Sequence, residues 1–361
     1  MRRRYHREMP ERRPATAEWD VVVVGAGIIG CAVAREVARR GAKTVVLEAR
    51  TIGAGATQAS AGVLAPFIEA PSDGPLHALT VESLSLYDEF VASVARDAHV
   101  AVEYRRCGTL EVAHDPAAIE HLKNLAHWVA SKGLEVRWLT PTEVNHLEPA
   151  LGTTSGGLLV PSHGYVHATS LTNALAESAR RHGANVRTGT HVDSISAINR
   201  EAEVRAGSDV YRATMVVLAA GSWSSTLAPD ADVSPVRGQL LRVRWDRPQI
   251  QRIVWSERCY LVPWTDGTLL IGATVEHVGF DERVTGGGVQ SLLNAASEVL
   301  PAIGNATFID ARVGLRPATT SGLPLIARST RFPALVYATG HFRNGILLAP
   351  LTAKRVADLL L

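Results

Sequence analysis

The chain has 361 residues, 46% of them hydrophobic and 20% charged. That balance excludes a disordered chain and a long coiled coil, and the length predicts two domains or one large α/β unit. The net charge of +2 is local, because residues 1–13 carry six arginines against Glu8 and Glu11. The body that remains is mildly acidic and shows no basic stripe interleaved with aromatics, which argues against nucleic acid as a partner.

Residues 1–17 read as a basic, disordered tail. No apolar run of about 7–15 residues follows it, as a secretory signal requires, and no stretch reaches the roughly 18 apolar residues of a membrane helix. Cys31, Cys107 and Cys259 form no CxxC or Cys/His cluster, so neither a disulfide framework nor a metal site is expected. Together these features predict a cytoplasmic protein with no membrane partner.

The first ordered unit is DVVVVGAGIIGCAVAREVARRGAKTVVLE, residues 20–48. Val21–Val24 reads as a buried strand, Ile28–Arg40 as a helix ended by Gly41, and Thr44–Leu47 as a second, parallel strand. Gly25, Gly27 and Gly30 stand at GxGxxG spacing in the first turn, and Glu48 ends the second strand. Glycines at that spacing permit a tight turn and close approach of a pyrophosphate. The helix start offers free N–H groups, and the acid can accept from a ribose.

Further along, Glu82–Asp97, Pro116–Lys132 and Gly288–Leu300 have helical texture. Arg242–Trp245, Cys259–Trp264 and Thr268–Val275 read as short antiparallel strands. Two later segments return to the first sheet: Ala213–Ala219 runs into a turn at Gly221, and Ala334–Ala338 is followed by GHFRNG and a helix Ile346–Leu360. That last helix start supplies a second positive terminus, at Phe342 to Gly345. A long flavin nucleotide uses two such termini, at its pyrophosphate and at its ring, whereas a nicotinamide enzyme needs only one.

At these residues the sequence resembles the D-amino-acid-oxidase-like superfamily of FAD-dependent amine oxidases, and most closely the glycine oxidases of thiamine biosynthesis. Besides the glycine turn, the resemblance rests on ATQASAGVLAP (56–66), PVRGQLL (235–241), CYLVPW…LLIGATVE (259–276), GLRPATTSGLPLI (314–326) and GHFRNGILLAP (340–350). It implies an α/β fold: a discontinuous Rossmann-like FAD-binding domain (18–80, 157–230 and 311–361) and a substrate-binding domain (81–156 and 231–310). The second domain is expected to be a mainly antiparallel sheet flanked by helices.

By position, the resemblance implies non-covalent FAD held by Gly25, Ala26, Gly27, Ile28, Ile29 and Gly30, with Glu48 and Ala49 on the adenosine side. Thr57, Gln58, Gly62, Val63 and Leu64 would follow the pyrophosphate and flavin. Val192 would meet the adenine, Gly221 would line the nucleotide, and His341, Phe342, Arg343, Asn344, Gly345, Ile346 and Leu347 would wrap the ring. Arg316 would clamp a substrate carboxylate, assisted by the Tyr260 hydroxyl and by Arg343. An arginine fork meets a carboxylate with two parallel hydrogen bonds and so orients as well as attracts it.

The implied reaction is oxidation of a small amino acid at Cα by hydride transfer to flavin N5, with dioxygen as acceptor. It would yield an imine or 2-oxo acid, ammonia and hydrogen peroxide. Glycine is expected, with sarcosine and D-alanine behind it, and a thiazole synthase could receive the imine. No side-chain base is required once the amine is neutral, and His341 is assigned none of that work. Relatives associate, so a homo-oligomer is expected. A D-amino acid dehydrogenase or an N-methylamino-acid oxidase remains an alternative, as does, from another class, a tRNA-modifying flavin oxidase or a non-catalytic assembly factor. Two departures from the family pattern stand out: Val275 where methionine is frequent, and His167 at a usual acidic position.

Overall fold

The computed structural model describes residues 17–198, 200–246 and 250–361, so the predicted basic tail lies, but for Ala17, outside the described residues. Runs of β-branched residues with no polar alternation form the centre of the first sheet, as a strand buried on both faces requires. Trp19–Val24 pairs in parallel with Thr44–Leu47 on one side and with Asp209–Leu218 on the other. Asn185–Arg187 and Leu335–Thr339 extend the parallel array outward. Ser194–Ile198, Glu201–Ala206 and Leu325–Arg328 add antiparallel edges, giving eight strands.

One face of this sheet is covered by the helices Ile28–Arg39, Ala168–Arg181 and Gly345–Leu360, which share a core built on Val33, Val37, Leu171, Leu175 and Val356. The buried Arg35 ties three helices together. Its guanidinium donates to Ser178 Oγ at 2.8 Å and to Asp97 Oδ2 at 2.5 Å. His167, the departure noted above, caps the helix Ala168–Arg181: its Nδ1 accepts from the Ser170 N–H at 3.2 Å. Burial lowers the pKa of this imidazole, and the neutral ring takes over the acceptor role that acidic residues favour at helix starts.

The second sheet also has eight strands, in the order Thr307–Thr319, Val233–Arg244, Thr268–Gly272, Tyr260–Pro263, Ile253–Trp255, Thr109–Ala113, Gly156–Val160 and Arg137–Leu139. It is antiparallel throughout except where Ile253–Trp255 meets Thr109–Ala113. Gly286–Val299 covers one face, packing on Leu241, Leu261 and Leu269, whereas Pro116–Ser131 packs on the opposite face, against Ala113, Leu158 and Val160. A small third sheet, Val63–Leu64, Gly164–Val166 and Tyr104–Arg105, lies in the seam.

Three expectations change. Residues 157–160 and 311–319 are strands of the second sheet, so the boundaries placed at 157 and 311 cut through it. The segment 81–98 packs with the first sheet, contributing Leu84, Tyr87, Val91 and Val94 to its core. It is also two helices, Pro75–Ser85 and Tyr87–Ala98, not one. Each is tethered to the start of the last helix: Ser83 Oγ donates to the Leu347 carbonyl at 2.7 Å and Tyr87 Oη to the Ile346 carbonyl at 2.6 Å.

Candidate active site

The first sheet delivers a backbone-lined groove. Strand Trp19–Val24 ends at Gly25, whose φ of 101° belongs to the region glycine enters without strain. A Cβ there would lie 2.6 Å from the Ala219 carbonyl oxygen, and one at Gly30 would overlap the Gly25 carbonyl, so helix and strand approach each other only with glycine. No side chain of Gly27 caps the helix that follows. Thr57 Oγ1 accepts from the Ile28 N–H at 3.1 Å, and the remaining first-turn N–H groups have no intrahelical acceptor. Glu48 is held in place from its own side: it accepts from the Ala26 N–H at 2.7 Å and from the Arg50 N–H at 2.8 Å.

The other end of the groove is made by the last connection. After strand Leu335–Thr339, residues Phe342–Asn344 form a 3-10 turn leading into Gly345–Leu360, again with no side-chain cap. His341 points inward, with Nε2 2.9 Å from Thr352 Oγ1. Burial lowers its pKa to about 3, so the ring is neutral at physiological pH and serves the packing of this turn. The Oδ1 of Asn344 is buried without a partner among the described residues.

The second sheet supplies side chains instead. Alternation along its strands puts Leu240, Val262, Leu270 and Tyr260 on one face and Leu241, Leu261, Leu269 and Ile271 on the other. Two glycines make the first face flat where it matters. A Cβ on Gly238 would fall on the Arg316 guanidinium, and a Cβ on Gly272 would fall on the Tyr260 phenol. Arg316 thus reaches inward over one neighbouring strand, and Tyr260 reaches inward over another from the opposite direction.

The Arg316 head donates to the Thr274 carbonyl at 2.9 Å and to the Arg237 carbonyl at 3.3 Å. Among the described residues it meets no carboxylate. Burial is the main influence on both groups, lowering the Arg316 pKa and raising that of Tyr260, and leaves the first a cation and the second a neutral donor. Arg343 differs. Its guanidinium is paired with Glu69, with Nη2 2.7 Å from Oε2. Trp255 leans on Tyr260, ring centres 4.9 Å apart.

Both walls face one continuous cavity of about 1420 Å³. Of the residues named from the sequence, Ala26, Gly30, Gln58, Leu64, Asn344 and Leu347 lie behind its surface, and all the others line it. Sequence reasoning missed Glu69, Trp255 and Glu111 on the same surface. Only Glu69 carried a signal, as the acid closing the loop that begins ATQASAGVLAP. The groove suits a flavin dinucleotide: two uncapped helix starts favour its negative groups, and Gly221 has nothing within 4 Å of where a Cβ would stand. Among the described residues no group of His, Cys, Asp and Glu could hold a metal ion, and no helix is long and apolar enough to cross a membrane.

Comparison with known proteins agrees with this geometry. Residues 20–359 match the DAO family, FAD dependent oxidoreductase. The chain is 33% identical over 351 residues to the glycine oxidase of Geobacillus kaustophilus (strain HTA426), covering 95% of this chain and 93% of that protein. The crystal structure of glycine oxidase from Geobacillus kaustophilus superposes with a TM-score of 0.91, over 95% of this chain and 94% of that one. The chain is also 33% identical to a bifunctional ThiO/ThiG protein of Nostoc sp. (strain PCC 7120 / SAG 25.82 / UTEX 2576), covering 94% of this chain but 52% of that one. A groove with uncapped helix starts facing a half-buried arginine that meets no carboxylate thus has its counterpart in sequence: the chain belongs to the DAO family of FAD-dependent oxidoreductases, among its amino acid oxidases.

Proposed function

We propose that the chain oxidises glycine, and more slowly sarcosine and D-alanine. The net conversion is amino acid, dioxygen and water to 2-oxo acid, ammonia (methylamine from sarcosine) and hydrogen peroxide. The observation that carries this reading is the Arg316 cation, half-buried, lying on Gly238, and opposed by the Tyr260 hydroxyl instead of a carboxylate. A cation in that state is stabilised by an anionic ligand, and the fork with an adjacent hydroxyl matches a carboxylate.

In this reading Gly25 to Ile29 and the N–H groups of the first helix hold a pyrophosphate, and Glu48 presents its free lone pairs to a ribose. The turn from His341 to Ile346 lies along the ring system. FAD, when bound there, supplies the two-electron acceptor. Arg316 and Tyr260 fix the substrate carboxylate and thereby the direction of its Cα–H bond. The Arg343–Glu69 pair closes the near side with little net charge, which leaves the amino group free to lose its proton to water. Cys259 on the wall is kept protonated, because burial raises its thiol pKa, and this supports a cofactor held without a covalent link.

The fused ThiO/ThiG relative supports a further step: delivery of the imine, before water reaches it, to a thiazole synthase in the cytoplasm. Assembly into a homo-oligomer belongs to the same proposal. The test is a peroxide assay of the FAD-loaded protein with glycine, sarcosine, D-alanine and D-proline. Glycine is expected to give the highest kcat/KM. Turnover seen only with an artificial dye, without peroxide, would overturn the oxidase reading in favour of a dehydrogenase.

A further inference from the structure

Beyond Tyr260 the cavity lining continues through Trp255 and Glu111 to His114, Asp115, His121 and Leu122 at the first turns of helix Pro116–Ser131. Strand register puts Glu111 beside Trp255, Trp255 beside Tyr260, and Tyr260 beside Gly272, all on one rung and one face. Neighbouring strands lie about 4.8 Å apart, so Glu111's strand is roughly 14 Å from that of Gly272, over which the Tyr260 hydroxyl rests. Glycine fills only a small part of that span.

Glu111 is a half-buried carboxylate with no hydrogen-bond or ion-pair partner among the described residues, and desolvation raises its pKa to about 7. Structural carboxylates in this chain are treated differently. Glu148 accepts from the Gln251 N–H and pairs with Arg252, and Glu69 pairs with Arg343. An unpaired, desolvated carboxylate is costly to retain and is relieved by an incoming cation. Asp115 and Glu257 add negative charge at the same end, whereas Arg258 there is neutralised by Glu298.

We propose that Glu111 forms a distal acidic subsite that takes the cationic end of a longer amino acid, one whose side chain ends in an ammonium or guanidinium at about the length of lysine. The carboxylate sits on Arg316 and Tyr260, the aliphatic stem lies along Trp255, and the cation meets Glu111. A four-carbon stem with hydrogen bonds of roughly 2.8 Å at both ends covers the span. This assignment rests on the carboxylate clamp proposed above.

The experiment titrates the FAD-loaded protein with D-lysine and with D-norleucine, which has the same stem and no charge. It reads the perturbation of the flavin spectrum and competition against glycine. D-lysine is expected to bind at least tenfold tighter than D-norleucine, and Glu111→Gln is expected to bring the two together. Parity in the unaltered protein, or a preference that survives Glu111→Gln, would overturn the subsite. Should Glu111→Gln fail to retain flavin, the ratio in the unaltered protein decides alone. Arg316→Ala separates the two assignments. Loss of both ligands upholds the clamp, and a lysine preference that persists there overturns the clamp while leaving the Glu111 subsite standing.

Discussion

The two walls of the cavity are built from different materials. The wall we propose for the cofactor is backbone: glycines, helix starts and main-chain N–H groups, with the Thr57 and Glu48 side chains bracing the turn from within the groove. The opposite wall, which we propose holds the substrate, is side chain: Arg316, Tyr260, Trp255 and Glu111 stand on one sheet face. A backbone wall fixes where a ligand sits and tolerates change only where no Cβ intrudes. A side-chain wall can be re-aimed one residue at a time, which is how one scaffold serves substrates of different shape.

The largest effect should come from breaking the backbone wall. Gly30→Val places atoms on the Gly25 carbonyl, and the purified variant is expected to lose its yellow flavin absorbance altogether. Arg316→Ala should keep that absorbance and lower kcat/KM for glycine about a hundredfold, mainly through KM, as expected for losing a charge-assisted pair of hydrogen bonds. A variant that loses flavin as well would erase the distinction between the walls. Tyr260→Phe removes one neutral donor and should raise KM up to about tenfold.

A separate effect concerns stability and leaves both walls in place. His341 on the cofactor wall and His163 in the seam both have pKa values lowered to about 3 by burial. Between pH 6.5 and 3 the unfolded chain binds a proton at each that the folded chain does not, so stability is full above that window and falls as pH drops through it. The slope is up to about 1.4 kcal/mol per pH unit for each group. Urea midpoints measured at pH 7.5 and pH 5 should therefore diverge, and His341→Gln should narrow the gap.

How much of this was legible beforehand follows from the same contrast. The GxGxxG turn, the parallel strands around it and the acid at Glu48 are local patterns, and the chain writes them within 30 residues. The last helix was readable for the same reason. The antiparallel character of the second sheet was readable from Arg242–Trp245, Cys259–Trp264 and Thr268–Val275, but its distant pairing was not: Thr109–Ala113 lies beside Ile253–Trp255, and no local signal announces that partner. The domain boundaries expected at 157 and 311 fall inside Gly156–Val160 and Thr307–Thr319, two strands of the second sheet whose partners are also distant in the chain. Arg316 and Tyr260 were found through motif resemblance. Glu69 pairs with Arg343 across 274 residues, and Glu111 sits in an ordinary alternating strand; neither role is visible until the chain has folded.

The two helix starts that frame the groove come from residues 28 and 345. Strand Leu335–Thr339, which leads into the second of these starts, slots beside Asp209–Leu218, the strand that also flanks Trp19–Val24. The groove therefore exists only once these far-separated stretches have met on one sheet. A change that frays the helix Gly345–Leu360 would leave the first turn folded and the groove half built.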